Sequence, residues 1–518
     1  MNGADILCDT LLAHDVDVCF TNPGTSEMHF VAALDKKEGM RCVLGLFEGV
    51  VTGAADGYGR MADKPAATLL HLGPGLANGL ASLHNARRAE TPILNIVGDH
   101  AVGHLQHDSP LTSDIDSLAR PMSSMVRRVR SADEVSTATV EAIEATRAGA
   151  GAIATLILPA DASWSPAPPT VRRARLPQRT AVCDNALKHA ADLLRNGKST
   201  LLLLGGKALR SGALAAADRI AQVTGAELMT PTANARIERG RGRVAIDRLP
   251  FNVDQAVQRM AGFKQVILVG APSPSIFFAY PGKPGTPLAD GCEVFALTRA
   301  SDDLQQALES LADLLGAQAL QARQESGEPK LALPSGAVDE FSGTTVIQTI
   351  AALAPDNAII CDESVSAGRL MYGALSQAAP HDYLQLTGGA IGFGIPVAAG
   401  AAIACPDRKL ILMQADGSGM YNIQGLWTHA REQLDIVTVI FANHSYAVLH
   451  NELRMVGAGE AGRNARRMLD IVDPKFNWVS MADAAGIEAA RVADLDTFID
   501  VFKTALARKG PFLIEVSL

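Results

Sequence analysis

The sequence predicts an α/β protein of three doubly wound domains with mainly parallel sheets. Short apolar runs alternate with helical patterns along nearly the whole chain. Two stretches, 163–182 and 321–340, interrupt this alternation and are rich in proline with basic or polar residues, as linkers are. A length of 518 residues allows about three domains. The predicted domains are therefore 1–165, 183–325 and 340–518.

Composition narrows the class of protein. Hydrophobic residues make up 48% and charged residues 19%, which is typical of globular chains. A formal net charge of −9 argues against a nucleic-acid partner. The seven cysteines form no CxxC pair, which fits neither a zinc site nor a disulfide framework. The beginning of the sequence lacks signal-peptide features, and no apolar run reaches the ~18–20 residues of a membrane span. We expect a cytoplasmic protein without a membrane partner.

Each predicted strand is a short apolar run, and each predicted helix has amphipathic or small-residue spacing. In the first domain the strands are 16–20, 41–47, 66–72 and 93–98, with a helix at 49–62. In the middle domain the strands are 200–206 and 265–271, with a helix at 211–223. In the last domain the strands are 358–364, 409–416, 437–443 and 512–518, with a helix at 425–435.

Two polar side chains follow neighbouring strands in the last domain. Asp416 ends the run 409–416, and Asn443 ends the run 437–443 after one intervening helix. Such a βαβ unit makes the two strands parallel and adjacent, so both side chains are expected at one edge of the sheet. Carboxylate and amide oxygens suit Mg²⁺, and glycines such as Gly417 let backbone N–H groups approach phosphates. The alternative is that Asp416 caps a helix and Asn443 starts a turn.

The segment "LILMQADGSGMYNIQGLWTHAREQLDIVTVIFANHSYAVL" resembles the metal and diphosphate motif of thiamine diphosphate enzymes. Asn443 follows Asp416 by 27 positions, as the motif requires. The resemblance implies Mg²⁺ ligands from Asp416, Asn443 and the carbonyl of Ser445. Two departures are Ala415 in place of the motif's first glycine and Ala442 in place of its first asparagine.

The resemblance extends over the whole chain and supplies further cofactor contacts. The segment 46–61 places Glu48 as the carboxylate that protonates the aminopyrimidine ring and so generates the nucleophilic ylide. A helix N-terminal acid that interacts with the helix dipole is the alternative. The segment 388–404 places Ile391 under the bent cofactor and the Gly389 carbonyl at its amino group. The remaining cofactor contacts are predicted at Ser364, Ser366, Gly417, Ser418 and Tyr446.

Within this family the chain looks most like benzoylformate decarboxylase and its relatives. "FTNPGTSEMHF" (20–30) and "LLHLGPGLANGLASLHNA" (69–86) carry that likeness. Thr25 stands at the position of a catalytic serine, with Ser26 beside it. His71 stands at the position of one of two catalytic histidines, where its ring suits proton transfer near neutral pH. A hydrogen-bonded structural histidine is the alternative for His71.

The second catalytic histidine is absent, and Phe277 stands in its place. His107 is a candidate substitute. Leu111, Val448 and Leu449 are predicted to line the substrate pocket, and polar side chains at its mouth are expected from His450 and Glu452.

The leading hypothesis is decarboxylation of a 2-oxo acid through the ylide and enamine of thiamine diphosphate, with Mg²⁺, in a homodimer or homotetramer whose active site lies between subunits. Losing one proton donor is expected to slow aldehyde release, so a carboligase of the acetolactate synthase type is the first alternative. A nicotinamide- or flavin-dependent oxidoreductase is a further alternative, because 201–212 weakly resembles a nucleotide turn, although it lacks GxGxxG. The last alternative is a non-catalytic cofactor-binding protein.

Overall fold

The strands of this chain form three sheets, in agreement with the predicted fold class. The computed structural model describes residues 1–323, 331–337, 339–368 and 372–518. The predicted domain end at residue 325 and part of the predicted linker 321–340 therefore lie outside the described residues. Among the helices of the described ranges, none is long and apolar enough to cross a bilayer.

The first sheet has six parallel strands in the order β2-β1-β3-β4-β6-β5. Its central strands are buried along their whole length because helices cover both faces, and they consist of apolar runs for this reason. The strands are β1 (Val18–Asn22), β2 (Arg41–Leu44), β3 (Ala66–Leu70), β4 (Ile93–Asp99), β5 (Met125–Arg128) and β6 (Ile153–Pro159). The helices are α1 (Gly3–Leu12), α2 (Met28–Asp35), α3 (Glu48–Ala62), α4 (Leu72–Arg88), α5 (Ile115–Ala119), α6 (Val135–Thr146) and α7 (Ala160–Trp164).

The second sheet has five parallel strands in the order β10-β8-β7-β11-β12. The strands of the middle block are β7 (Thr200–Leu204), β8 (Glu227–Thr230), β9 (Ile237–Arg239), β10 (Asp247–Arg248), β11 (Gln265–Val269) and β12 (Glu293–Thr298). The helices are α8 (Asp184–Arg195), α9 (Ser211–Thr224), α10 (Val253–Met260) and α11 (Leu304–Leu314).

The third sheet has seven strands in the order β17-β18-β16-β15-β13-β14-β9. Six of its strands come from the last block: β13 (Ala358–Glu363), β14 (His381–Gln385), β15 (Leu410–Ala415), β16 (Ile436–Ala442), β17 (Glu488–Val492) and β18 (Phe512–Ser517). The helices are α12 (Gly343–Leu353), α13 (Gly394–Ala404), α14 (Asp416–Gly419), α15 (Gly425–Arg431), α16 (Ala447–Met455), α17 (Arg463–Leu469), α18 (Trp478–Ala484) and α19 (Leu495–Ala507).

The seventh strand of the third sheet, β9, belongs to the middle block and pairs antiparallel with β14. Two arginines fix this pairing: the buried Arg239 guanidinium lies 3.7 Å from the centroid of the Tyr372 ring, and the partly buried Arg236 donates to Asp382 at 2.5 Å. The sequence division into three blocks does not anticipate this strand, because three residues carry too short a pattern. The predicted domain boundaries stay predictions.

Helices α3 and α13 pack the first unit against the last at backbone distance. A Cβ added at Gly57 would lie 2.0 Å from the Val397 carbonyl oxygen, and one added at Gly400 would lie 1.8 Å from that of Ala54. Neither helix could approach so closely with larger side chains at these two positions. The contact places the start of α3, which carries Glu48, near the loop that precedes α13.

Candidate active site

Asp416 and Asn443 lie at the same edge of the third sheet, as predicted, because β15 and β16 are parallel neighbours. The buried Asp416 carboxylate accepts the backbone N–H groups of Gly417 at 2.8 Å and His444 at 2.7 Å. The Asn443 side-chain oxygen accepts the N–H of Ser445 at 3.1 Å, so Asn443 also begins a turn. The carboxylate therefore joins the two strand ends, which a simple helix cap would not do.

The chemistry of this edge fits Mg²⁺. Burial raises the pKa of Asp416, and the nearest cationic candidate, Nδ1 of His444, is 3.7 Å away. A divalent cation would offset the cost of this buried carboxylate. Apart from Asp416, the predicted ligands are the Asn443 amide and the Ser445 carbonyl, which are hard oxygen donors. No group of three or more His, Cys, Asp or Glu side chains in the described ranges has the arrangement of a metal site. The metal roles stay predictions.

The backbone beside Asp416 has little room for side chains. A Cβ added at Gly417 would lie 2.7 Å from Cε1 of Tyr446, so glycine keeps the backbone here free of a side chain. Burial and a hydrogen bond with Tyr421 raise the pKa of Tyr446. The Ser418 hydroxyl accepts from the Gln414 amide at 2.7 Å and lies close to the Ala415 carbonyl. Protein partners therefore already engage this hydroxyl, and the backbone N–H of Ser418 is the better candidate for a phosphate.

Ser364 and Ser366 follow β13, which lies beside β15. Ser364 is buried, and its hydroxyl donates to Asp362 at 2.5 Å. Ser366 is exposed beyond it, and Val365 between them has a positive φ of 49°. The turn therefore presents Ser366, more than Ser364, to a diphosphate at this sheet edge.

The predicted aminopyrimidine contacts lie in the turn between β14 and α13. Gly389 has a φ of +80°, and Ile391 is half-buried. Helix α4 holds this turn: His84 is bonded to the Gly388 carbonyl at 3.0 Å, and Asn85 donates to the Ala390 carbonyl at 2.7 Å. Next to the turn, the buried oxygens Oε1 of Gln414 and Oδ1 of Asn422 have no hydrogen-bond partner in the described part of the chain. A backbone without a side chain at Gly389 and two unpartnered acceptor oxygens beside it fit a polar ring such as an aminopyrimidine.

Glu48 is the first residue of α3 and is 9% exposed. Its carboxylate accepts from the Asn78 amide of α4 at 2.9 Å, and Gly75 passes close to its other oxygen. No hydrogen bond or ion pair within the described residues joins Glu48 to Asp416. The neutral amide of Asn78 orients the Glu48 carboxylate, which fits the predicted role, and the place of Glu48 at the start of α3 fits the helix-dipole alternative equally well.

His71 follows β3, and its Nδ1 lies 2.8 Å from Oε2 of Glu27. The two side chains meet because β1 and β3 are parallel neighbours. Glu27 is 2% exposed, and burial raises its pKa although the His71 charge opposes this. Because Glu27 accepts at Nδ1, the Nε2 atom of His71 is the one left for a substrate. Thr25 and Ser26 form the same short turn as Glu27, and their hydroxyls make no hydrogen bond in the described ranges.

Phe277 lies beside the glycine turn, the segment 386–394 from the end of β14 to the start of α13. A Cβ added at Gly389 in this turn would be 3.1 Å from Cζ of Phe277. Its ring packs against Phe278 at 4.7 Å and Phe251 at 5.3 Å between centroids, and the side chain is 48% exposed. Phe277 also borders a cleft of about 330 Å³. The aromatic side chain is thus adjacent to the predicted cofactor contact, at the place where a histidine could have donated a proton.

The other predicted pocket residues are spread over two segments. His107 ends a row of rings with His100 and His104, at centroid distances of 5.4 Å, and no hydrogen bond or ring contact joins it to His71 or Phe277 within the described residues. This arrangement gives no support to His107 as the substitute proton donor. The partly exposed pocket candidates are Leu111 on the loop after β4 and, in the first turn of α16, Val448 and Leu449.

The two polar residues predicted at the pocket mouth already have partners. His450 is bonded to Asp470 at 2.7 Å. Glu452 accepts from the Tyr280 hydroxyl at 2.8 Å and so connects α16 to the middle unit.

Sequence reasoning missed the residues that orient the others, namely Glu27, Asn78, His84, Asn85 and Glu363. Each lies next to a predicted site residue only in the folded chain. For Glu27 a signal existed, since it is an acid two residues after Thr25 at a strand end. The others lie within helical or strand patterns that give no sign of a partner.

Two family models match this chain. Residues 1–119 match the model of the thiamine pyrophosphate enzyme N-terminal TPP-binding domain, and residues 367–516 match that of the C-terminal TPP-binding domain. A Mycobacterium tuberculosis protein, provisionally named acetolactate synthase large subunit IlvX, is 47% identical over 517 residues, which cover 100% of this chain and 99% of that protein. Benzoylformate decarboxylase of Pseudomonas aeruginosa is 29% identical over 526 residues, with 98% and 97% covered.

Solved structures share the fold. The thiamine diphosphate-dependent 4-hydroxybenzoylformate decarboxylase of Rhodococcus jostii RHA1 superposes with a TM-score of 0.85 at 24% identity, over 100% of this chain and 99% of that one. Benzoylformate decarboxylase of Polynucleobacter necessarius gives 0.84 at 20% identity, with the same coverage. Together with the relative of 47% identity over its whole length, the two matched domains show that this chain belongs to the thiamine pyrophosphate (thiamine diphosphate) enzyme family.

Proposed function

We propose that this chain is a Mg²⁺-dependent enzyme that uses thiamine diphosphate to decarboxylate a 2-oxo acid. The observation that carries the proposal is the pair His71–Glu27, which presents an oriented imidazole at the end of β3 beside Thr25 and Ser26. An imidazole held by a buried carboxylate is suited to general acid–base work. The family supplies the cofactor, and the similarity to benzoylformate decarboxylase favours this reaction.

When bound, thiamine diphosphate supplies a nucleophilic carbon and an electron sink. Asp416, Asn443 and the Ser445 carbonyl would hold Mg²⁺ and, through it, the diphosphate. The Glu48 carboxylate, oriented by Asn78, would hold the proton exchanged with the aminopyrimidine ring.

On the substrate side, the Thr25 and Ser26 hydroxyls are free to bind the 2-oxo acid. Nε2 of His71 would deliver the proton that the product carbon takes up after CO₂ leaves.

A second candidate function is carboligation, in which the product is a new C–C bond. Phe277 favours it, because the aromatic ring beside Gly389 cannot donate a proton as histidine could. The 47% identical relative provisionally named acetolactate synthase also favours it. Pyruvate discriminates between the two functions: acetaldehyde as product supports simple decarboxylation, and acetolactate supports carboligation.

The experiment that tests the proposal is incubation of the holo-protein with a panel of 2-oxo acids, with CO₂ release and organic products followed together by NMR. A sample stripped with EDTA tests the metal, and re-addition of Mg²⁺ should restore CO₂ release. Absence of CO₂ from every acid in the panel, with cofactor bound, would contradict the proposal and leave the non-catalytic alternative.

The proposal includes a homodimer or homotetramer in the cytoplasm, with Glu48 and Asp416 acting in one site from different subunits. This arrangement rests on the resemblance, since the two halves of the site pair across chains in the thiamine diphosphate family. The oxidoreductase alternative loses support, because the cations of its turn, Lys207 and Arg210, already face Asp63 at 2.9 and 3.5 Å.

A further inference from the structure

Glu363 is a buried carboxylate with no cationic partner among the described residues, and the mechanism above does not use it. It ends β13 and is 2% exposed. One of its oxygens accepts the N–H of Gly392 at 2.7 Å. The other accepts the N–H of Gly394 at 2.6 Å and the Gln414 amide at 3.0 Å. Burial raises the pKa of Glu363, and these three donors oppose that effect.

The position of Glu363 in the sheet lets these hydrogen bonds connect two parts of the predicted cofactor site. Strand β13 lies between β14, which leads to the glycine turn, and β15, which leads to Asp416. The carboxylate therefore bonds directly to the glycine turn and, through Gln414, to the strand end before Asp416. The Gln414 amide also donates to Ser418, immediately beyond Asp416, at 2.7 Å. One side chain thus connects the predicted aminopyrimidine contact with the predicted diphosphate contact.

The glycine turn depends on this connection. Gly392 has a φ of +90°, and a Cβ there would lie 2.5 Å from Cβ of Tyr421. A Cβ at Gly394 would lie 2.3 Å from Oε1 of Gln414. The turn therefore packs closely against Tyr421 and Gln414, and at these two positions it has no side chains that could fix its conformation. Burying a carboxylate is costly unless its hydrogen bonds are made. The hydrogen bonds of Glu363 are made to the glycine turn and to Gln414, which precedes Asp416.

We propose that Glu363 is a positioning residue that sets the distance between the Gly389–Ile391 turn and the Asp416 strand end, so that the site accepts thiamine diphosphate in one bent conformation. This inference rests on the proposed function. It predicts that loss of the carboxylate weakens binding of a ligand that contacts both the Gly389–Ile391 turn and the Asp416 strand end. Binding of a ligand that contacts only the Asp416 strand end should be unchanged.

The test uses Glu363→Gln, which has the same shape but replaces one acceptor oxygen with an NH₂ group. Calorimetric titration of the apo-protein with Mg²⁺ would measure Kd for thiamine diphosphate and for inorganic pyrophosphate. We expect Kd for thiamine diphosphate to rise about 10- to 100-fold, the value of one or more charge-assisted hydrogen bonds, and Kd for pyrophosphate to change less than about twofold. Glu515→Gln is the matched control, because Glu515 is also 2% exposed in the same sheet but lies on β18.

The outcomes separate the possibilities. An unchanged Kd for thiamine diphosphate overturns the inference, and an equal rise in both Kd values does so too, since it indicates a structural role only. If Glu363→Gln does not fold, Glu363→Asp keeps the charge but shortens the side chain so that it no longer reaches all three donors, and the same selective loss is expected at about 3- to 10-fold. If the unaltered protein binds pyrophosphate but not thiamine diphosphate, the proposed function itself fails.

Discussion

Glu48 follows the edge strand β2 of the first sheet and His71 follows the buried strand β3, and their neighbours assign them to different steps. Glu48 is hydrogen-bonded to the neutral amide of Asn78 on α4, whereas His71 is paired with the buried Glu27 carboxylate and is more exposed than Glu48. The first arrangement suits proton exchange with a bound ring, and the second suits a proton transfer to a substrate that comes and goes.

The first prediction at the residue scale follows from this difference. Glu48→Gln should bind thiamine diphosphate but exchange its C2 proton about 10²–10⁴-fold more slowly, because the general acid–base group is lost. His71→Ala should leave C2 exchange nearly intact and reduce turnover of 2-oxo acids. Deuterium exchange followed by NMR and CO₂ release measure the two rates separately. Equal slowing of C2 exchange in both variants would contradict this division of roles.

The second prediction concerns Glu27. If its carboxylate acts only by holding Nδ1 of His71, then Glu27→Gln should reduce turnover towards the level of His71→Ala, since an amide can present the wrong hydrogen-bonding group. The double variant should be no slower than His71→Ala, because residues that act as a unit are not additive. Steady-state CO₂ release checks this expectation, and additive losses in the double variant would show that Glu27 acts independently.

At the scale of elements, the crossing of α3 and α13 decides where Glu48 lies. Alanine at a helical glycine normally stabilises by about 1 kcal/mol. Gly57→Ala should instead destabilise by about 1–3 kcal/mol, because the new methyl would overlap the Val397 carbonyl. The melting temperature should fall, whereas Gly103→Ala, with nothing within 4 Å, should leave it unchanged. A higher melting temperature for Gly57→Ala would show that the helices can separate without cost.

His429 on α15 predicts part of the pH dependence of stability. Its Nε2 is bonded to the Ile395 carbonyl of α13 at 2.9 Å, and burial lowers its pKa to about 4. Since an unfolded histidine has a pKa of about 6.5, the unfolded chain takes up a proton that the folded protein refuses, and stability is lost as the pH falls from about 6.5 to about 4. At pH 5 the loss from this residue is about 2 kcal/mol.

His429→Gln keeps an N–H for the carbonyl and removes the titration. The difference in melting temperature between pH 7 and pH 5 should therefore become smaller than in the unaltered protein. His29→Gln, at an exposed position, is the control and should retain the full difference. An unchanged difference in His429→Gln would mean that this ring is accessible to protons in the folded state.

At the scale of the whole molecule, the candidate site has two halves, in the first and the third sheet. We predict that Glu48→Gln and Asp416→Ala proteins, each inactive, regain part of their activity when they are unfolded and refolded together. One of the two sites in a mixed dimer would then contain both unaltered residues. Recovery of CO₂ release against each variant refolded alone is the measurement, and no recovery in verified mixed dimers would place the site within one chain.

The local pattern of the sequence predicted the fold class, many of the buried strands and the strand ends that carry Asp416 and Asn443. Apolar runs bounded by turns identify buried parallel strands, and a βαβ unit makes its strand ends adjacent, so Asp416 and Asn443 could be brought together without a structure. Motif spacing assigned the cofactor in the same way.

Only the tertiary structure decided how the site is supported. Glu27 reaches His71 across 44 residues, and Glu363 reaches the glycine turn across about 30. Strand β9 crosses into the third sheet by a pairing that three residues do not encode. These contacts depend on which surfaces meet after folding, and a hydrogen bond between distant residues leaves no periodic signal in the chain. The sequence therefore predicted which groups carry the chemistry, and the packing of the three sheets decided what holds those groups in place.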